Sequence, residues 1–175
     1  MQPTIVRMAD CQISAAPGVV LAAYALGSCI GLVVHDRQSC IGGILHFMLP
    51  DSQLDPSLAR ENPYRFADTG IPRFLGELIG RGASKNRLMV HVVGGAQMMR
   101  TEGLFEIGKR NYLAARRILW RAGLMVYGEA VGGERSRTVR LEVGSGKVVL
   151  LEGGVERDLS STFGQKGVGK WPIAF

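Results

Sequence analysis

The sequence has few cysteines, and their spacing is not that of disulfide-bonded or zinc-binding cysteines. Three of the 175 residues are cysteine, namely Cys11, Cys29 and Cys40, and no two of them form a C-x-x-C pair. An odd number of cysteines with these spacings disfavours both a disulfide framework and a zinc site. We therefore expect no bound metal, and reduced thiols in a cytoplasmic environment.

The chain also lacks a hydrophobic run long enough to span a membrane. Residues 11–34 carry no charged side chain, but Pro17 and Gly18 limit the apolar part to residues 19–34. That part is shorter than the ~20 residues that a membrane-spanning helix needs. Asp10 stands where a secretory leader would be basic, and the apolar stretch is too short for a signal peptide. We predict no membrane insertion and interpret the segment as buried β-strand.

The composition has no excess of charge or repeats that would indicate disorder or a fibrous protein. Hydrophobic residues make up 46% of the chain and charged residues 21%, which is typical of a globular protein. The net charge is +6, and sixteen of the 21 basic residues are arginine. This charge suits an acidic partner, although surface ion pairs would explain it equally well. No basic patch with interleaved aromatic residues accompanies the charge, so we expect no nucleic-acid binding.

Short apolar segments that alternate with turns predict an α+β fold. The predicted strands are residues 19–26, 29–35, 40–49, 87–93, 124–131, 138–143 and 147–152, and the predicted helices are residues 64–80 and 108–122. Residues 51–63 are predicted as an exposed loop. Because the strands pair as hairpins beside two main helices, we predict a layered α/β sandwich with a mixed, largely antiparallel sheet. We place one domain at residues 1–153 and an irregular tail at residues 154–175.

The first predicted hairpin brings a thiol and an imidazole together. If the turn at residues 36–39 is symmetric, Cys29 faces His46 on the neighbouring strand. Directly opposed side chains have Cβ atoms about 4.5–5.5 Å apart, which is close enough for a thiol to hydrogen-bond to an imidazole. In such a pair the histidine can take the thiol proton and leave a nucleophilic thiolate. The pattern therefore indicates a cysteine hydrolase.

A rival pair and two simpler interpretations remain open. The same register opposes Cys40 to His35, next to the turn, where solvent has free access and no shaped pocket is expected. A cysteine in an apolar strand is by default a core residue, and a lone histidine is usually a satisfied core or edge residue. Gly27 and Ser28 favour the catalytic interpretation of Cys29, because a glycine corner can expose backbone N–H groups to an oxyanion beside the sulfur.

Five segments in order along the chain resemble one protein family. They are Leu26-Gly-Ser-Cys-Ile30, Ile41-Gly-Gly-Ile-Leu-His-Phe-Met-Leu-Pro50, Val93-Gly-Gly-Ala96, Ile107-Gly-Lys-Arg-Asn111 and Glu129-Ala-Val-Gly-Gly133. In sequence and spacing they resemble the bacterial chemoreceptor glutamine deamidase family, CheD. The resemblance covers about residues 4–152 and leaves the predicted tail outside it.

The resemblance implies a cytoplasmic enzyme that needs no cofactor. Such an enzyme hydrolyses the side-chain amide of selected glutamines in methyl-accepting chemotaxis receptors, giving glutamate and ammonia. Family members are also described as hydrolysing receptor methyl esters and as partners of the CheC phosphatase, which can restrain the deamidase. The family fold is a layered sandwich that is distantly similar to papain-like cysteine hydrolases. The alternative is a non-catalytic regulator that binds CheC or receptors through the same surface.

Carried onto this sequence, the resemblance makes Cys29 the nucleophile and His46 the general base and acid. The family usually has a threonine a few positions before the cysteine, where this chain has Ala22-Ala23. Without that hydroxyl, a backbone carbonyl or another side chain must orient the histidine, and Tyr24 and Ser28 are the candidate side chains. This departure is the main support for the regulator alternative.

Overall fold

The computed structural model describes residues 2–97 and 106–160. Within these ranges the chain forms ten β-strands and three α-helices. The strands are β1 (Thr4–Ile5), β2 (Asp10–Ser14), β3 (Val20–Leu26), β4 (Ile30–Asp36), β5 (Ile41–Phe47), β6 (Leu88–Gly94), β7 (Val126–Val131), β8 (Arg137–Glu142), β9 (Lys147–Glu152) and β10 (Val155–Asp158). The helices are α1 (Pro56–Glu61), α2 (Ala67–Gly80) and α3 (Ile107–Arg121).

The strands form two five-stranded sheets. The strand order is β1-β3-β8-β9-β10 in the first sheet and β2-β5-β4-β6-β7 in the second. The β1–β3 and β6–β7 pairs are parallel, and the other pairs are antiparallel. The predicted class is therefore confirmed: the fold is α+β, with mixed, largely antiparallel sheets.

The second sheet is the middle layer, with the first sheet on one face and the helices on the other. Alternation along its strands separates two cores. Val33 and Ile44 belong to the core between the two sheets. Leu32 and Leu45 belong to the core beneath the helices. Because both faces are covered, all residues of β4 and β5 are buried, which accounts for their largely apolar sequences.

The two long helices each bury one apolar face against the second sheet. The buried hydrophobic residues repeat at three- and four-residue spacing along each helix, as expected for an amphipathic helix. They include Ile71, Phe74, Leu75 and Leu78 in α2 and Tyr112, Ala115 and Leu119 in α3. No helix in the described ranges is long and apolar enough to cross a membrane.

Several elements were missing from the sequence prediction. β1 and β2 precede the first predicted strand, and α1 lies within residues 51–63, which were predicted as a loop. The side chain of Asp55 accepts the N–H of Leu58, and Pro56 occupies the first turn of α1. These are ordinary helix-start signals, so the prediction of a loop there is wrong.

Part of the segment predicted as an irregular tail, from residue 154 onward, is a β-strand. Residues 155–158 form β10, which pairs antiparallel with β9. Gly153 and Gly154 have φ values of 58° and 82°, which allow the tight turn that returns the chain to the sheet. The boundary of the single domain stays a prediction, and residues 161–175 lie outside the described residues.

The first hairpin forms, but its register is two residues away from the predicted one. His46 lies opposite Gly31, so the prediction that it faces Cys29 is wrong. His35 likewise lies opposite Gly42 and not opposite Cys40. Because side chains alternate with a period of two, this shift keeps every residue on its predicted face of the sheet.

The register changes because Asp36 belongs to the strand and not to the turn. Its carboxylate accepts the N–H of Gln38 at 3.0 Å and pairs with Arg87 at 2.7 Å, which holds it at the end of β4. Cys40 has a φ of 51°, in the left-handed region that closes tight turns. The loop therefore consists of residues 37–40, and β5 begins at Ile41.

Candidate active site

Cys29 lies in a bend between β3 and β4, one residue before β4 begins. It was predicted to lie within a strand. Its partly buried side chain packs against the core between the two sheets. The chain bends because Ala25 has a φ of 53° and the pairing of β3 with β8 is irregular between Ala23 and Leu26. The sharp corner predicted ahead of the cysteine is therefore present.

The side chain of His46 lies on the same face of the second sheet as the core against which Cys29 packs. A Cβ atom at Gly31, directly opposite His46, would lie 2.9 Å from Leu26 and 3.4 Å from Val139 of the first sheet. The face shared by Gly31 and His46 is therefore the one between the sheets. Continued one residue past the end of β4, the register would put Cys29 diagonal to His46 on this face, and Gly31, which lies opposite the imidazole, has no side chain.

The ring of His46 is buried, and its two nitrogens differ in their surroundings. Its Nδ1 atom lies 3.4 Å from the carbonyl oxygen of Val6, at the long end of hydrogen-bond distances. Its Nε2 atom has no hydrogen-bond partner among the described residues. The group that contacts Nδ1 and can orient the ring is thus a backbone carbonyl, and not the side chain of Tyr24 or Ser28, the two candidates from the sequence. Tyr24 is 43% exposed. A proton on Nδ1 would leave the Nε2 lone pair available as a base.

A carboxylate that the sequence analysis did not identify also flanks His46. Asp10 of β2 is directly opposite His46 in the antiparallel β2–β5 pair, so the two side chains share a face. Its oxygens accept the N–H of Cys11 at 2.8 Å and the side-chain amide of Gln12 at 3.2 Å. Burial lowers the pKa of His46, and the Val6 carbonyl and the negative charge of Asp10 oppose that shift.

Three consecutive carbonyl groups at the corner are held by three donors. Ala96 N–H donates to Gly27 at 2.8 Å, the Asn111 side-chain amide to Ser28 at 2.9 Å, and Gly95 N–H to Cys29 at 2.9 Å. Gly94 has a φ of 114°, and a Cβ atom there would lie 2.2 Å from the Cys29 carbonyl oxygen. Glycine is therefore required where β6 meets the corner.

This arrangement also decides where the N–H groups of the corner point. In a trans peptide group the C=O and N–H bonds point in opposite directions. Since the carbonyls of Gly27 and Ser28 point toward β6 and α3, the N–H groups of Ser28 and Cys29 point away from them. The Cys29 N–H therefore points to the face on which the Cys29 side chain packs. Burial raises the pKa of the thiol, and the backbone of Cys29 opposes that larger effect.

The rival pair has a different geometry. His35 Nε2 lies 2.7 Å from the Val143 carbonyl oxygen. The sulfur of Cys40 lies 3.6 Å from the Arg37 carbonyl oxygen and 3.9 Å from that of Gly144. The ring of His35 and the sulfur of Cys40 therefore each contact backbone carbonyl oxygens.

Comparisons with known proteins agree with the resemblance seen in the sequence. A family model described as CheD, CheD chemotactic sensory transduction, matches residues 48–152. The chain is 58% identical to a probable chemoreceptor glutamine deamidase CheD of Solibacter usitatus, covering 95% of this chain and 99% of that relative. A protein of the same kind from Syntrophus aciditrophicus is 42% identical over 91% of this chain and 100% of its own length. One from Pyrococcus horikoshii is 40% identical over 74% of this chain and 80% of its own length. This chain belongs to the CheD family.

Proposed function

We propose that this chain hydrolyses the side-chain amide of specific glutamines in methyl-accepting chemotaxis receptors, giving glutamate and ammonia. The names of its relatives describe them as probable chemoreceptor glutamine deamidases. One observation carries the proposal for this chain. A cysteine at a corner with oriented N–H groups lies on the same sheet face as a histidine whose Nε2 has no partner in the described part of the chain.

The first half of the proposed reaction transfers the acyl group to sulfur. His46 Nε2 takes the thiol proton of Cys29 as the sulfur attacks the carbonyl carbon of the glutamine side chain. The carbonyl oxygen becomes an oxyanion, which accepts hydrogen bonds from the N–H groups of Ser28 and Cys29. When the C=O bond re-forms, the C–N bond breaks and His46 gives its proton to the departing ammonia. A thioester with Cys29 remains.

The second half releases the product. His46 takes a proton from water, and the hydroxide attacks the thioester carbonyl carbon. The C–S bond breaks, the sulfur of Cys29 takes back a proton from His46, and the product acid ionises to glutamate. Every bond change uses water and these two side chains alone, so the proposed reaction needs no cofactor.

Burial determines how the proton transfer takes place. The pKa of Cys29 is raised and that of His46 is lowered, so both shifts favour the neutral forms. We expect a thiol and a neutral imidazole in the resting enzyme, with proton transfer coupled to attack on the substrate. Asp10 would favour the imidazolium that forms at that moment, and the Val6 carbonyl would fix the ring, in place of the hydroxyl that Ala22-Ala23 lack.

The proposed substrates and partners follow from the family and from the charge beside the site. Arg7 and Met8 are exposed and follow Val6, whose carbonyl contacts His46. A basic and apolar rim of this kind suits an acidic helical receptor surface. We propose that the enzyme acts in the cytoplasm, where its three cysteines stay free, and that the CheC phosphatase binds it.

The test is incubation with receptor cytoplasmic fragments, followed by peptide mass spectrometry for the mass gain of Gln→Glu. We expect the gain at specific glutamines with the wild-type chain and none with Cys29→Ala. A wild-type chain that binds the fragments but converts no glutamine would contradict the proposal. That result would support a non-catalytic regulator, for which the alanines at positions 22 and 23 are the specific observation.

A further inference from the structure

One side chain of α3 connects the corner that carries Cys29 to the end of the strand that carries His46. Asn111 is fully buried. Its Nδ2 atom donates to the carbonyl oxygen of Ser28 at 2.9 Å and to that of Met48 at 2.7 Å. Both acceptors are carbonyls, so the NH₂ end of the amide must face them.

We propose that Asn111 is a positioning residue that orients the oxyanion donor at Cys29. This inference rests on the proposed function. The Ser28 carbonyl and the Cys29 N–H belong to the same peptide group and point in opposite directions. The hydrogen bond that draws the carbonyl oxygen toward α3 therefore turns the N–H away from α3, to the face on which the Cys29 side chain packs. It also polarises the peptide group, which makes the N–H a stronger donor.

The second hydrogen bond of Asn111 holds the same amide in place from the end of β5. Met48 is two residues after His46 in the chain and one residue beyond the end of β5. Continuing the β4–β5 register by one position would place Met48 opposite Cys29. A single amide group thus bridges the corner that carries the proposed nucleophile and the end of β5.

The helix that carries Asn111 is itself held against the same corner. A Cβ atom at Gly108, in the first turn of α3, would lie 2.5 Å from the Gly95 carbonyl oxygen. The helix backbone therefore contacts the segment that supplies the other two donors to the corner. Asn111 also leaves its Oδ1 buried without a partner in the described ranges, and this costs stability. Such a cost fits a residue retained for the geometry of a site.

The test compares two reactions of Cys29, only one of which forms an oxyanion. Deamidation passes through a tetrahedral oxyanion, whereas alkylation by iodoacetamide forms a C–S bond and releases iodide without one. Asn111→Asp keeps the shape of the side chain but turns an acceptor toward two carbonyls. We expect its kcat for deamidation to fall by roughly 10²–10³-fold, the usual cost of losing one oxyanion donor, with little change in KM. The rate of Cys29 alkylation, followed by peptide mass spectrometry, should stay close to that of the wild type.

Ala115→Gly is the matched control. Ala115 is buried one turn farther along α3, so this change weakens the same helix without touching the corner. It should preserve kcat. If Asn111→Asp does not fold, Asn111→Ser breaks the two-carbonyl bridge without adding charge and should show the same separation of the two rates.

Each remaining outcome has a distinct meaning. A folded variant at position 111 with unchanged kcat would overturn the inference, and so would a parallel fall in deamidation and alkylation, which would indicate general disruption. A wild-type chain without deamidase activity would overturn the proposed function, and the inference with it. An active wild type with an unaffected variant would overturn the inference alone.

Discussion

His35 and His46 are equally buried, each 2% exposed, but they differ in how their ring nitrogens are used. His35 lies close to the Val143 carbonyl through Nε2, and a Cβ atom at Gly146 would come within 2.5 Å of its Nδ1. His46 has one long contact to Val6, and its Nε2 is without a partner among the residues described. Burial alone therefore does not distinguish these two histidines, whereas the contacts of their ring nitrogens do.

The two cysteines differ in the same way. Cys40 lies in the loop between β4 and β5, and its sulfur contacts the backbone carbonyl oxygens of Arg37 and Gly144. Cys29 follows a corner whose carbonyls all point to β6 and α3, which leaves N–H groups on the side of the sulfur. Carbonyl groups around a thiol cannot stabilise a negative charge, whereas N–H groups can. The comparison thus supports the proposed catalytic roles of Cys29 and His46, and it favours a structural role for Cys40 and His35.

The largest expected effect separates the two cysteines. Cys29→Ala should lower deamidation by on the order of 10⁴-fold or more, because no other group can form the thioester. Cys40→Ala should leave the rate close to that of the wild type. The measurement is the rate of Gln→Glu conversion in a receptor fragment, with circular dichroism to show that both variants fold. The opposite ranking would transfer the proposed reaction to Cys40 and His35.

The next effect separates the two histidines by two different measurements. His46→Gln should reduce kcat by roughly 10²–10⁴-fold through loss of the general base, with a small change in stability. His35→Gln should retain most of the activity but lower the free energy of unfolding by about 1–3 kcal/mol, since it disturbs a buried hydrogen bond. If both variants lost activity in proportion to their loss of stability, the distinction between the two histidines would be wrong.

The faces of the sheet could be predicted from the sequence, but the register could not. Alternation of apolar residues places Val33 and Ile44 on one face whatever the even-numbered shift of the hairpin. The register depends on Asp36, whose carboxylate is held by Arg87, a residue 51 positions along the chain. The predicted turn was symmetric like the observed one but began one residue too early, at Asp36, because the distant ion-pair partner of Asp36 could not be seen in the local sequence.

The residues around the candidate site were partly visible in the sequence. Asn111 is a polar residue on the apolar face of a predicted helix, four residues before Ala115, and this is a signal that could have identified it. Asp10 and Val6 gave no such signal. β1 has only two residues, which is too short for a recognisable strand pattern. β2 alternates polar and apolar residues at the edge of its sheet, which is the pattern of a half-buried strand, and the prediction missed it.

Acid should destabilise the protein through a third buried histidine, His91. His91, on the strand next to β4, is buried, and burial lowers its pKa to about 4 from an ordinary value of 6.5. The unfolded chain therefore binds this proton more readily, and stability is lost as the pH falls from about 6.5 toward 4. We expect a loss of about 3 kcal/mol from this group, measured by urea unfolding across that range. His91→Gln should flatten the dependence, and an unchanged slope would contradict the assignment.

The smallest expected effect concerns the negative charge of Asp10 beside His46. It would refine the comparison of His46 with His35 most. Asp10→Asn keeps an oxygen for the Cys11 N–H but removes the charge that opposes the lowering of the His46 pKa by burial. The pKa of His46 should fall further, so that the acid limb of the kcat/KM profile moves to lower pH. Because the imidazolium then forms less readily during attack, kcat near neutral pH should fall by roughly two- to tenfold, which corresponds to one pKa unit or less.

Asp158→Asn is the matched control, since that carboxylate acts on the pKa of His91 and should leave the acid limb in place. If the acid limb of Asp10→Asn stays in place, the carboxylate of Asp10 only makes hydrogen bonds within β2 and does not affect the pKa of His46. The Val6 carbonyl alone would then oppose the effect of burial on that pKa.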